Sequence, residues 1–328
     1  MVRAMMRFNQ CQPGLDPDEM AARYQATLDL VEYGERHGFS RVSLEEHHGA
    51  EDGWSPSPLI TAGAIFGRTR TVRVIISALL VPLHDPVRIA EDIAVLDLLS
   101  GGRLTVIGGL GYRPSEYAAH GMSWEQRGRL MDEAVDTMLK AWTGEPFELR
   151  GATVRVTPRP VTQPHPTLMI GGSHKVSARR AARFGLPFFL PGNRPDLKAY
   201  YEEQCAALGV SGYCVMPPAR AMHVHVAEDP DKAWAELGRY FLHEATTYAG
   251  WQTSDKTSAA HSHATTIEEL RAEGIYAVLT PEECIERARA GGDAFRGFTM
   301  HPLVGGMPID EAWRSVTLCA EQVLPKVA

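Results

Sequence analysis

Short runs of apolar and β-branched residues alternate along the chain with longer segments in which apolar side chains share one face. This alternation is typical of parallel strands joined by crossover helices in an α/β fold. Eight runs are candidate strands, and eight is the number of strands that closes a TIM barrel. They lie at 5–9, 41–45, 73–81, 104–108, 167–170, 186–190, 221–227 and 298–303.

Helix starts are marked between these runs. Two segments begin with an aspartate and a proline, Asp16-Pro17 and Asp85-Pro86. The aspartate is able to cap the helix, and the proline, which lacks an amide hydrogen, is well tolerated in the first turn. Gly101 follows the last apolar turn of the second of these segments, as is typical of a helix end. The pattern therefore predicts capped helices between the strands.

Two segments interrupt the alternation. Residues 148–156, with Arg150-Gly151 near their centre, predict a small hairpin. Residues 246–279 form an insertion before the last strand, rich in Ala, Ser, Thr and His over 253–266. Such an insertion is either a mobile cover over a site or a surface segment without a role, and we expect the cover. No linker composition divides the chain, so residues 1–328 predict a single domain.

Charge and composition exclude several partners. The 328 residues carry a formal net charge of −7, and the basic residues are scattered, which argues against nucleic acid binding. The apolar run at 74–83 is too short to span a membrane, and the first residues do not resemble a signal peptide, so we expect a cytoplasmic protein. Five cysteines without a Cys-x-x-Cys spacing argue against disulfides and a zinc cluster.

The segment Glu45-Glu46-His47-His48 ends the second predicted strand, and the carboxyl ends of barrel strands are where catalytic groups are displayed. An imidazole exchanges protons near neutral pH, and an adjacent carboxylate orients it. We therefore expect His47 to be the acid or base, oriented by Glu46 or by a backbone group. The alternative is that a histidine here only packs the loop, with His48 the next candidate.

Two glycine-rich turns follow later strands. Gly171-Gly172-Ser173 precedes a helix, and a turn with bare amides at a helix start suits a phosphate. The turn Gly108-Gly109-Leu110-Gly111-Tyr112 lets a flat or bulky group approach the backbone. It does not match the dinucleotide-binding fingerprint.

His223 and His225 alternate with apolar residues on the seventh predicted strand, a spacing that metal ligands also use. A metal site is one interpretation. The other is that both rings are buried polar groups that find hydrogen bonds without a metal.

Taken together, several motifs resemble those of the bacterial luciferase-like flavin-dependent oxidoreductases, and they run in order through essentially the whole chain. These motifs are Leu44-Glu45-Glu46-His47-His48, Pro86-Val87-Arg88-Ile89-Ala90-Glu91, Ser100-Gly101-Gly102-Arg103, Gly109-Leu110-Gly111-Tyr112 with Glu116-Tyr117, Ile170-Gly171-Gly172-Ser173 and His301-Pro302-Leu303-Val304-Gly305-Gly306.

The resemblance implies a TIM barrel that binds reduced FMN, or in a sister group the deazaflavin F420. It implies a cis peptide behind the flavin ring among Ser77, Ala78 and Leu79, with Gly109 and Tyr112 also at the cofactor. It implies a phosphate site at Gly171, Gly172 and Ser173, and proton transfer at His47.

Two departures limit what is carried over. The F420-dependent sugar-phosphate dehydrogenases that resemble this chain have a glutamate where Tyr112 stands. Luciferase itself has a cysteine and an arginine where Gly109 and Leu110 stand. We therefore do not expect those two activities.

The leading hypothesis is a monooxygenase that receives reduced FMN from a separate reductase and transfers one atom of O2 to a small organic substrate. F420-dependent hydride transfer is the alternative on the same barrel. Two other classes stay open: a metal-dependent hydrolase that uses the four histidines named above, and a flavin-binding barrel without turnover. The resemblance also implies a homo-oligomer.

Overall fold

A computed structural model describes residues 4–217, 223–251, 262–290 and 299–327. The strands in these residues are β1 (Ala4–Phe8), β2 (Phe39–Leu44), β3 (Arg73–Leu80), β4 (Leu104–Gly109), β5 (Phe147–Leu149), β6 (Ala152–Val154), β7 (Thr167–Gly171), β8 (Phe188–Phe189), β9 (Cys214–Val215), β10 (His223–Val226), β11 (Tyr276–Leu279) and β12 (Thr299–Met300).

The α-helices of the same residues alternate with these strands. They are α1 (Pro17–Arg36), α2 (Pro58–Arg68), α3 (Pro86–Ser100), α4 (Pro114–Ala119), α5 (Arg127–Thr143), α6 (Lys175–Arg183), α7 (Pro195–Leu208), α8 (Pro230–Trp251), α9 (Ile267–Glu273), α10 (Pro281–Ala290), α11 (Ile309–Leu318) and α12 (Leu324–Val327). None of these helices is both long enough and apolar enough to cross a membrane.

Ten strands pair in parallel in the order β11-β10-β12-β1-β2-β3-β4-β7-β8-β9. In the middle of this sheet, Met6 of β1 lies opposite Val42 of β2 on one side and Met300 of β12 on the other. Eight of the strands, β1, β2, β3, β4, β7, β8, β10 and β12, border one central cavity. The sheet therefore curves around that cavity as a TIM barrel does, and these eight strands are the eight predicted.

The apolar residues of the strands alternate between the cavity side and the helices. On β3, Val74 and Ile76 are fully buried against the helix layer, where Ile65 of α2 and Ile93 of α3 belong to the same core. This two-residue period is what a strand imposes on its side chains. The main hydrophobic core therefore lies between the sheet and the surrounding helices.

Some predicted boundaries are wrong. The sixth and eighth strands are shorter than the runs at 186–190 and 298–303, and residues 221, 222 and 298 lie outside the described ranges. β9 and β11 were not predicted. β9 has only two residues, too few to show a period, and β11 was hidden inside the polar insertion.

The predicted insertion at 246–279 is wrong at both ends. Residues 246–251 are the last turns of α8, and β11 pairs with β10 in the main sheet. Residues 252–261 lie outside the described part of the chain. Trp234 and Phe241 of α8 pack with Leu270 of α9 and Tyr276 of β11 in a second core, because α8 presents one apolar face to this layer. The cover role stays a prediction.

The hairpin predicted at 148–156 is formed by β5 and β6. Its two turn residues, Arg150 and Gly151, both have positive φ, at 52° and 79°. Positive φ at both central residues is the geometry of the tight turn that best matches strand twist. The predicted caps are also present, since Asp16 Oδ1 accepts from the amides of Asp18 and Glu19 at 3.0 Å.

Asp97 holds the approach to β7 against α3. Its side chain is fully buried, and its two oxygens accept hydrogen bonds from the Thr162 amide at 2.8 Å and the Thr162 hydroxyl at 2.7 Å. The segment before β7 is irregular, so few backbone hydrogen bonds fix it. Asp97 therefore helps to set its position, together with the stacking of His165 on Trp142.

We expect Asp97→Ala to lower the free energy of unfolding by about 2–3 kcal/mol, because it leaves the Thr162 amide without its charged acceptor. Asp92→Ala on the same helix removes a surface pair with Arg88 and a minor charge effect on His84, and it should cost about 0.5 kcal/mol. Urea unfolding of both variants measures the difference. Equal effects would show that Asp97 does not anchor this segment.

Candidate active site

The central cavity has a volume of about 380 Å³ and opens at the carboxyl ends of the barrel strands. All nine residues predicted for the site border it. They are Glu46, His47, Ser77, Ala78, Gly109, Tyr112, Gly171, Gly172 and Ser173. The structure thus brings the predicted residues together, while their individual roles stay predictions.

A bulge in β3 forms one wall of the cavity. The peptide bond between Ser77 and Ala78 is cis, as the resemblance implied, and the pairing with β4 shifts register between Ser77 and Leu79. A Cβ atom on Gly109 would lie 2.8 Å from Cβ of Ala78. Gly109 is therefore needed for β4 to pass beside the bulge, and the backbone there stays uncovered toward the cavity.

His47 lies between two side chains that fix its ring. Its Nδ1 is 2.9 Å from Oε1 of Glu116, and its Nε2 is 3.1 Å from the hydroxyl of Tyr112. A carboxylate accepts only, so Nδ1 carries the proton in this contact and Nε2 accepts from Tyr112. The three residues form a continuous chain of hydrogen bonds that reaches the cavity at Tyr112 and His47.

The expectation that Glu46 or a backbone group orients His47 is wrong, because Glu116 of α4 does so. Glu116 also accepts from the His48 amide at 3.0 Å and from Arg113 at 3.2 Å. Burial raises the pKa of Glu116, but the hydrogen bonds from His47 and the His48 amide and the charge of Arg113 outweigh burial and lower it. Glu116 therefore stays a carboxylate and holds the Nδ1 proton of His47.

Glu46 has another task. It is buried, and its oxygens accept from His48 at 3.1 Å, from His84 at 2.6 Å and from the Leu80 amide just after the bulge. Burial raises its pKa, but the bonds from His48 and His84 outweigh burial and lower the pKa to about 2. Glu46 is thus a permanent anion that positions the bulge, since such a group does not exchange protons near neutral pH.

Tyr112 is the neutral member of the hydrogen-bond chain. Burial raises the pKa of its hydroxyl well above the ordinary value, and the nearby Tyr248 and Glu45 add to the shift. The hydroxyl therefore stays protonated and donates a hydrogen bond to His47 Nε2. Sequence analysis assigned Tyr112 to cofactor contact only.

An aromatic shell surrounds His47. The rings of Trp54 and Trp251 lie 5.6 and 5.0 Å from the His47 ring, and Tyr248 stacks on Trp54 at 6.2 Å. Arg113 lies over the Trp251 ring at 4.3 Å. Only 6% of His47 is exposed, so this shell keeps bulk water away from the ring. Tyr248 was missed because its helix was assigned to the insertion.

The floor of the cavity is charged. Arg7 of β1 forms ion pairs with Glu45 and, at 2.8 Å, with Glu244 of α8, and it also contacts His223 Nε2 at 3.3 Å. Burial and then the charge of Arg7 lower the pKa of His223 to about 3. His223 is therefore neutral, and its place in the floor is explained by Arg7.

The four histidines of the metal hydrolase hypothesis do not share a site. His47 contacts Glu116, and His48 contacts Glu46. His225 packs on Phe241, and burial lowers the pKa of His225 to about 4. Among the described residues, no group of three or more possible metal ligands includes any of the four. The structure therefore gives this hypothesis no support.

The turn after β7 leads into α6. A Cβ atom on Gly172 would lie 2.3 Å from Oγ of Ser177, so only glycine lets the turn fold this closely over the first turn of the helix. Gly171, Gly172, Ser173 and Ser177 all border the cavity. The start of α6, which attracts negative charge, therefore faces the cavity.

A family model described as luciferase-like monooxygenase matches residues 5–295. A 4-hydroxyprotoasukamycin monooxygenase from Streptomyces nodosus subsp. asukaensis is 26% identical over 83% of this chain and 77% of its own. An FMNH2-dependent dimethylsulfone monooxygenase from Pseudomonas putida is 27% identical over 57% of this chain and 54% of its own.

The solved structure of monooxygenase RslO1 from Streptomyces bottropensis superposes with a TM-score of 0.77 at 26% identity, over the full length of both chains. This chain spans about half the length of several curated relatives that it matches. The similarity to RslO1, by contrast, extends through the barrel and supports the predicted TIM fold.

The contact between His84 and Glu46 makes the stability of the bulge depend on pH. Burial lowers the pKa of His84, but the hydrogen bond and charge of Glu46 outweigh burial and raise it. Because the pKa of His84 is higher in the folded than in the unfolded protein, its protonation stabilises the fold. This stabilisation is complete below the unfolded pKa of about 6.5 and is lost as the pH rises through the folded pKa. We therefore expect His84→Gln to destabilise the protein more at about pH 5.5 than at about pH 9. Urea unfolding at both pH values measures this, and equal losses would contradict it.

Proposed function

The chain belongs to the family of luciferase-like monooxygenases, and from this premise we propose that it uses reduced FMN and O2 to oxygenate a small organic substrate. The observation that carries the proposal is the hydrogen-bond chain from Glu116 through His47 to Tyr112, which ends at the cavity beside the β3 bulge. It supplies a positioned proton in a dry site.

The residues around the cavity fit a flavin. The uncovered backbone at Gly109 and the bulge at Ala78 make a wall on which a flat ring can lie, next to the apolar side chains of Leu80, Ile107 and Leu110. The turn at Gly172 leaves the start of α6 open for the phosphate. When bound, reduced FMN supplies the electrons that activate O2.

Three residues of the protein position and transfer the proton. Glu116 keeps the Nδ1 proton on His47, so Nε2 is the atom that exchanges a proton. Tyr112 holds a proton on its hydroxyl at 3.1 Å from Nε2 and borders the cavity. A proton taken from or given to a bound substrate therefore moves along Tyr112 and His47, while Glu116 stabilises the charged ring.

The aromatic shell has a separate role. Trp54, Tyr248 and Trp251 pack around His47 and on each other, and they keep water from its ring. Excluding water strengthens the hydrogen bonds inside and limits side reactions of a reactive cofactor. This is consistent with oxygen chemistry, in which a protected site is needed.

Further partners follow from the chemistry. Because no described group supplies electrons, we propose a separate reductase as the source of reduced FMN. All five cysteines are free thiols, which suits the reducing cytoplasm. The side chains of Ile60 on α2 and of Val95, Leu98 and Leu99 on α3 are exposed, and we propose that a second copy of the chain packs on this apolar surface.

The phosphate site is tested with FMN and riboflavin, which differ only in the phosphate. We expect wild type to bind FMN at least about tenfold more tightly, because the dianion gains the amides and the dipole at the start of α6. Gly172→Ala should bring FMN affinity down to that of riboflavin and leave riboflavin binding within about twofold, since its Cβ pushes on Ser177.

Isothermal titration measures both ligands, with F420 as a third to test the alternative cofactor. Gly67→Ala is the control, because its Cβ would meet nothing within 4 Å. Equal affinities of wild type for FMN and riboflavin would contradict the phosphate site. Tight binding of F420 but not FMN would favour the hydride-transfer alternative.

Proton transfer is tested by removing each member of the chain. We expect His47→Ala to slow turnover by about 10²–10⁴-fold with FMN affinity little changed. Its melting temperature should fall, because the buried Glu116 carboxylate loses the Nδ1 donor. Tyr112→Phe should slow it in the same step, and Glu116→Gln should shift the pH profile, because the ring loses its fixed tautomer. Single-turnover rates across pH measure these effects.

His120→Gln is the matched control, since the His120 ring contacts the His48 ring and the Glu116 backbone carbonyl but no side chain of the hydrogen-bond chain. Turnover of His47→Ala within a few-fold of wild type would move the role elsewhere, with His48 the next residue to change. A normal rate in Tyr112→Phe would show that His47 acts on the substrate directly.

A further inference from the structure

A second cluster of reactive side chains lies outside the cavity lining. Cys11 follows β1, Asp52 lies in the loop after β2, and His243 is on α8. Cys11 Sγ donates to Asp52 Oδ2 at 2.9 Å, and His243 Nε2 is also 2.9 Å from that same oxygen. The three atoms lie within 4.8 Å of one another, and among the described residues this is the one such group of three.

Burial separates this cluster from an ordinary surface contact. Cys11 is fully buried and Asp52 nearly so, while the His243 side chain is 34% exposed. Both contacts use one oxygen of Asp52, Oδ2, while the backbone amide of Trp54 also donates to this carboxylate. A thiol, a carboxylate oxygen and an imidazole nitrogen that converge in this way offer three ligand atoms to one ion.

We propose that Cys11, Asp52 and His243 bind a divalent metal ion, with Zn²⁺ the best match, through Sγ, the carboxylate and Nε2. Zinc takes mixed sulfur, nitrogen and oxygen ligands in a tetrahedral arrangement. The thiolate disfavours Mg²⁺ and Ca²⁺, which prefer oxygen ligands alone. The exposed side of His243 leaves the fourth position to water.

The charges of this site balance. Binding removes the thiol proton of Cys11 to solvent, and His243 binds as a neutral ring with its proton on Nδ1. Asp52 contributes one further negative charge, so the thiolate and the carboxylate together neutralise the ion. Two further charges act on the Cys11 thiol. Arg23 of α1 favours its thiolate, and Glu244, next to His243 in the sequence, opposes it.

The cysteine spacing gave no sign of this site, because its ligands lie 41 and 191 residues apart. The fold brings them together where the ends of β1 and β2 meet α8. A metal ion there would join these three elements, and α8 carries Glu244 into the cavity floor and Tyr248 onto its wall. The site is structural, and it does not depend on the proposed oxygen chemistry.

Cobalt provides a direct probe, since Co²⁺ replaces Zn²⁺ and a thiolate ligand gives it a near-ultraviolet absorption. We expect chelator-treated full-length protein to take up one Co²⁺ with this absorption and to lose the absorption in Cys11→Ser. Cys214→Ser, which changes a partly exposed cysteine outside the cluster, should keep it. Zinc at about 100 times its dissociation constant should raise the melting temperature by about 5 °C in wild type.

His243→Gln gives an independent arm, because its partly exposed position on α8 tolerates substitution. It should weaken cobalt binding at least tenfold and abolish the zinc-dependent rise in melting temperature. No thiolate absorption in wild type, or the same absorption in Cys11→Ser, would overturn the proposal. So would equal melting temperatures of wild type with and without zinc, which would leave the cluster as hydrogen bonds alone.

Discussion

Buried carboxylates that bind donors from distant segments hold the rim of this barrel together. A buried charge without donors is very unfavourable, so each carboxylate collects donors from segments far apart in sequence. Glu46 joins the end of β2 to the β3 bulge, Glu116 joins α4 to His47, and Glu244 joins α8 to Arg7. The cavity walls are therefore positioned by ion pairs and charged hydrogen bonds, in addition to the apolar core behind them.

The same carboxylates divide the polar groups of the site into two kinds. Glu46 has a pKa of about 2 and Glu116 has a lowered pKa, so both keep a fixed negative charge at neutral pH. Tyr112 keeps its proton, and His47 is held with Nε2 toward it. The two glutamates thus fix the positions of their neighbours, and His47 and Tyr112 carry the proton. Glu45 and Glu46 follow β2 directly and both border the cavity, but Glu45 pairs with Arg7 while Glu46 accepts from His48, His84 and the Leu80 amide.

Much of the architecture could be predicted from local pattern. The strand and helix alternation, the hairpin at Arg150 and the glycine turns depend on neighbouring residues, and the sequence alone indicates them. The partner of His47 could not be predicted, because Glu116 lies 69 residues away and only the barrel brings it close. Tyr248 and β11 were missed for another reason, since a polar composition around them hid a helix end and a four-residue strand. Long-range contacts and short elements are where sequence patterns carry the least information.

Helix α8 gives the cavity a mechanical property. Its 22 residues carry Glu244 to Arg7 in the floor, Tyr248 to the wall and Trp251 to the His47 ring, so a rigid shift of this one helix moves floor and wall together. Its outer face is seated on α9, where a Cβ on Gly238 would come within 2.7 Å of Ile267. A larger residue at Gly238 would therefore displace the helix from outside. Evolution can therefore change the shape of the cavity by a substitution at Gly238, which does not line the cavity, while every lining side chain is retained.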